Sequence, residues 1–94
     1  MGISMASVEY LSERGLLPAG NARVLDIGTQ NLFNVTLPAL ERFVAHHGTT
    51  SSSGALTEQM ERLVYYSTPR PGENTAFLSQ LFDLTSNIFY TSFH

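Results

Sequence analysis

The sequence predicts an α/β fold in which a helix is followed by a βαβ-type unit with an extended helical crossover, its small parallel sheet incomplete alone. Three observations predict it. Val24, Leu25 and Ile27 form a short apolar run that Gly28 ends, and Ile88 to Thr91 is a second run of β-branched and aromatic residues. Between them, from Gly28 to Asn87, the apolar residues recur mostly at helical spacing. Two strands joined by a helical crossover lie parallel in one sheet.

Taken in order, Ser4 to Arg14 carries Met5, Val8 and Leu11 on one helical face, with Gly15 placed to end the helix in a left-handed cap. Leu16 to Asn21 contains Pro18 and Gly20 and reads as a turn. Arg23 to Ile27 is then a strand, and its nearly continuous apolar character predicts cover on both faces. Thr29, Gln30 and Asn31 make a polar corner, and Leu32-Phe33 is an apolar pair too short to define an element. A second helix is expected to start at Thr36, whose hydroxyl caps it while Pro38 occupies the first turn. Leu37, Leu40, Phe43 and Val44 form its apolar stripe, and His46, His47 and Gly48 close it.

Thr49 to Gly54 reads as a flexible linker, because it offers no side chain that anchors in a core. Ala55 to Ser67 resumes helical spacing through Leu56, Met60, Leu63 and Val64. Thr68-Pro69-Arg70-Pro71-Gly72 is an extended turn. Glu73 to Thr85 is expected to be one further helix with Phe77, Leu78, Leu81, Phe82 and Leu84 as its apolar face, and the strand Ile88 to Thr91 follows. The chain therefore reads as a single small domain over 1–94, or as the N-terminal fragment of a larger α/β domain.

Composition narrows the function classes. At 94 residues the chain buries only ~60–65% of its unfolded surface. Charged residues make up 14% of the sequence against ~25% in an average domain, which leaves more apolar surface to cover. A homodimer, a protein partner or a missing C-terminal portion would each supply that cover. The net charge is -3 and the five basic residues, all arginine, are scattered, so no basic face for nucleic acid is expected. Without cysteine there is no disulfide, thiolate metal site or cysteine nucleophile, which suits a cytoplasmic location. No run approaches the ~18 apolar residues of a membrane span.

Val24-Leu25-Asp26-Ile27-Gly28, preceded by a short helix and followed by a polar corner and an amphipathic helix, resembles the first strand and glycine loop of the class I S-adenosylmethionine-dependent methyltransferases. The resemblance implies a Rossmann-like fold with S-adenosylmethionine as cofactor, approached by Asp26, Gly28, Gln30 and Asn31. It departs from the family where Thr29, Gln30, Asn31 and Leu32 replace the later glycines of the loop, and where the second strand runs out at Phe93-His94 without a carboxylate. What it implies is thus an N-terminal piece or a degenerate relative, incomplete for catalysis.

The residues suggest no catalytic or metal set. There is no Gly-x-Ser-x-Gly elbow and no P-loop. His46 and His47 point about 100° apart on a helix and no third ligand accompanies them, so they read as a solvated helix end. Asn34-Val35-Thr36 matches a glycosylation pattern, but Thr36 is better used as a cap. Two functions follow from the sequence: an S-adenosylmethionine-binding methyltransferase-like domain, or a small non-catalytic α/β module that self-associates or binds a protein through apolar helix faces.

Overall fold

The computed structural model describes residues 2–17, 22–29, 31–48, 53–68, 75–85 and 88–93. In chain order they form β1 (Gly2–Ser4), α1 (Met5–Glu13), β2 (Arg23–Ile27), β3 (Asn31–Phe33), α2 (Leu37–His47), α3 (Ser53–Ser67), β4 (Ala76–Phe77), α4 (Leu78–Phe82) and β5 (Phe89–Phe93). The α/β class is as expected, and β2 pairs parallel to β5 across the helical crossover, from Arg23 opposite Phe89 to Ile27 opposite Phe93.

Local chemistry accounts for the helix ends. Ser4 is extended and its hydroxyl accepts from the Ser7 N–H, which caps α1. At the other end Gly15 adopts φ 68°, and the Gly15 and Leu16 N–H groups bond back to Ser12 and Leu11. This is the paired closure that a left-handed residue makes possible. Thr36 caps α2 by accepting from the Ala39 N–H, and Gly48 ends it at φ 85°.

Three expectations about element bounds are corrected. Leu32-Phe33 does become a strand, because Asn31 to Phe33 pairs parallel with Gly2 to Ser4 and antiparallel with Ala76 and Phe77. Such short strands are defined by their neighbours rather than by their own residues. Gly2 is tied to that pairing, since a Cβ there would stand 2.5 Å from the Asn31 carbonyl oxygen and 2.9 Å from the Phe33 ring. The long helix expected over Glu73 to Thr85, whose first two residues lie outside the described residues, shrinks within 75–85 to α4, because Ala76 is drawn fully into the sheet and Phe77 stays extended, its N–H donating to the Gln80 side chain. Beyond Phe82, the Thr85 hydroxyl bonds the Phe82 carbonyl and the chain turns away. Finally, α3 begins at Ser53, inside the expected linker 49–54; residues 49–52 lie outside the described residues.

The core gathers Met5 and Val8 of α1, Leu32 of β3, Ala39, Leu40 and Phe43 of α2, Met60 and Leu63 of α3, and Leu81, Phe82 and Leu84 at α4. These elements surround the three-stranded sheet β1-β3-β4. No side chain of β2 belongs to this core. Its residues alternate between exposed and half-buried, so the strand is covered on one face and not on two, contrary to the expectation from its apolar run. The physical reason is that β2 has β5 as its ladder partner and the helices pack around the other sheet.

That division predicts unequal costs for similar changes. Leu40→Ala, at a fully buried position, lowers unfolding free energy by ~2–5 kcal/mol. Leu25→Ala, on the open face, changes it by no more than ~0.5 kcal/mol. Urea denaturation checks the contrast, and equal losses would contradict the placement of β2 outside the core.

Candidate functional site

The β2·β5 ribbon carries the residues singled out in the sequence, and strand alternation sorts them into two faces. Val24, Asp26 and Tyr90 point inward, while Arg23, Leu25, Ile27, Phe89 and Thr91 point outward. The Phe89 N–H also bonds the Ala22 carbonyl at 3.0 Å, which starts the ladder.

On the inner face the Asp26 carboxylate accepts a hydrogen bond from the Tyr90 hydroxyl. Burial, and then the bond to Asp26 and its charge, push the Tyr90 phenol above its ordinary range, so it stays a donor. The Tyr90 ring stacks on Phe82 with centroids 5.3 Å apart, and Phe82 meets Phe43 edge-on at 6.1 Å. Phe43 in turn lies 4.4 Å from the His47 ring, whose Nε2 is 3.0 Å from the Ser12 hydroxyl of α1. A file of rings thus runs from the ribbon through α4 and α2 to α1.

Asp26 is therefore engaged on the inner side of the ribbon. Gly28 follows the strand at φ 75°, a conformation that a side chain strains, and space around its missing Cβ is open. Asn31 is exposed at the start of β3, paired with Gly2 and Phe77, so it belongs to the other sheet. Gln30 lies outside the described residues. The Thr29 hydroxyl oxygen at this corner is buried without a hydrogen-bond partner among the described residues.

The outer face is apolar and open. Leu25 is 61% exposed, Ile27 74% and Phe89 66%. Arg23 lies on the same face and forms no ion pair among the described residues. The sequence indicated that apolar helix faces needed cover; the structure exposes this sheet face as well. Phe89 and Tyr90 carry no special motif, and only the register with β2 reveals that one faces out and the other anchors the ribbon.

His47 also differs from the expected solvated helix end. His46 is exposed, but His47 is half-buried, and its Nδ1 is enclosed without a partner among the described residues. A serine hydroxyl on an imidazole is the first link of nucleophile activation, yet no carboxylate orients this ring among the described residues. The contact is a tie between α1 and α2, reinforced outside by Arg42 and Glu9 at 2.7 Å. Among the described residues no group of three or more metal-ligating side chains gathers, and no helix is long and apolar enough to cross a membrane. The chain matches no protein-family model, no curated protein and no solved structure.

Burial, and secondarily His46, lower the His47 pKa from its ordinary 6.5. The unfolded chain then binds the proton more readily than the folded one, so this stabilising contribution is complete above pH 6.5 and is lost as pH falls below it. The melting temperature is expected to drop between neutral and mildly acidic pH more steeply in the wild type than in His47→Gln. Parallel pH profiles for the two proteins would contradict the burial of this ring.

Proposed function

We propose that this chain is a small non-catalytic interaction module that binds a protein partner through the outer face of the β2·β5 ribbon. The observation that carries the reading is the exposure of Leu25, Ile27 and Phe89 on one face of the ribbon. Parallel strands are normally covered on both faces, and a two-stranded ribbon is at best marginal alone. A patch of large apolar side chains on such a ribbon is what a partner covers. The inner face, with Asp26 held by Tyr90, gives the patch a fixed backing.

A second reading, a degenerate S-adenosylmethionine-binding domain, is favoured by the parallel β2·β5 pair, the positive φ of Gly28 and the buried Thr29 hydroxyl beside it, which has no hydrogen-bond partner among the described residues. In that reading the cofactor lies at the Gly28 corner, with Asp26 behind it; of the other residues implied, Asn31 begins the other sheet and Gln30 lies outside the described residues.

The two readings part in one set of experiments. A photo-crosslinking amino acid at Phe89 is expected to trap a discrete protein in the producing cell, while the same group at exposed Glu61 on α3 traps none. Calorimetric titration with S-adenosylmethionine is expected to give no heat. Equal, diffuse crosslinking at both positions would overturn the module, and saturable heat that Gly28→Ala abolishes would favour the cofactor.

A further inference from the structure

A second exposed surface has the complementary character. Between α2 and α3 runs a groove of about 500 Å³, lined by Leu37, Val44, Ala45, Leu56 and Met60 with Glu41 beside them. Met60 is nearly buried and forms part of its floor, whereas Leu37 is 39% exposed. Thr57 also lines it, and among the described residues Glu41 is the only charged one of the groove. Glu41 is exposed and forms no ion pair among the described residues.

We propose that the ribbon of one copy docks in the α2/α3 groove of a second copy of this chain. The inference rests on the interaction-module reading and names its partner. Its warrant is complementarity of both kinds. Among the described residues Leu25, Ile27 and Phe89 present an apolar ridge with one cation, Arg23, that forms no ion pair, and the groove presents an apolar trough with one anion, Glu41, that forms none. Joining two ribbon faces would bring together two cations with no anion between them, and joining two grooves two anions with no cation. Ribbon to groove is the pairing that buries both apolar surfaces and matches the charges.

The two surfaces share no residue, so the contact is head-to-tail. Each pair of copies leaves one ribbon and one groove unfilled, and assembly continues into a ring or a short open chain unless a partner caps it. Low overall charge, at 14% of residues, offers little repulsion to oppose this growth.

Sedimentation equilibrium from low micromolar to millimolar concentration tests the proposal. The average mass of the wild type is expected to rise with concentration. Arg23→Glu and Glu41→Arg each weaken association about tenfold or more, and the double swap restores it to within about threefold. Ile27→Glu, which spoils the ribbon, and Leu37→Lys, which spoils the groove, are each expected to be monomeric alone. Mixed, they form a dimer that grows no further, because each retains one intact surface. Circular dichroism verifies that the variants are folded; all four substituted side chains are exposed.

A wild type that stays monomeric throughout overturns the inference, as does association that the single charge reversals leave unchanged or that the double swap fails to restore. If a crosslinker at Phe89 traps a different protein while the chain stays monomeric, self-docking is overturned and the module reading stands. If the chain stays monomeric and the crosslinker traps nothing, both fall.

Discussion

The stacking of Tyr90 on Phe82 is the contact on which the architecture turns. The helices and the β1-β3-β4 sheet enclose a core that takes no side chain from β2. What joins the β2·β5 ribbon to that core is the inner face, where Tyr90 lies against Phe82, with Ile88 packed beside the core. An aromatic pair of this kind contributes ~0.5–1.5 kcal/mol beyond the area it buries. The hydroxyl at the far end of the same ring satisfies the Asp26 carboxylate, so one side chain both anchors β5 and gives β2 its cross-strand bond. Burial on the inner side then obliges the alternate residues, Leu25, Ile27 and Phe89, to face out.

This constraint changes the meaning of the most suggestive stretch of the sequence. A carboxylate inside an apolar run followed by glycine fits a strand that delivers a loop to a cofactor. The same residues fit a ribbon whose carboxylate is turned inward to a tyrosine, and here it is so turned. The difference lies in the partner across the ladder, sixty-four positions further on, which no local spacing discloses. Among the described residues three such side-chain pairs tie one element to another: Asp26 to Tyr90, Ser12 to His47, Glu9 to Arg42.

Features governed by local chemistry were legible in the sequence. The bounds of β2, the Thr36 cap, the Gly15 and Gly48 stops and the parallel pairing of two distant apolar runs all follow from residue type and spacing. Features set by tertiary neighbours were not. Gly2 to Ser4 and Ala76-Phe77 are too short to carry a periodic signal and exist as strands because β3 lies between them. Phe77 to Leu84 has helical spacing, but its first residue is used by the sheet. The run Val24-Leu25-Ile27 signals burial on two faces, and one of those faces is open in the single chain, a mismatch that the proposed docking would remove.

In the proposed assembly the outer face of the ribbon is completed by another polypeptide, and in self-assembly by the groove of a second copy. Amide hydrogen exchange of β2 and β5 as a function of protein concentration measures this most directly, since it reads the ribbon backbone itself. Protection over Arg23–Ile27 and Phe89–Phe93 is predicted to rise with concentration while that of α2 core amides stays constant. Ribbon protection that is already complete in dilute solution, and unchanged on concentration, would contradict the account.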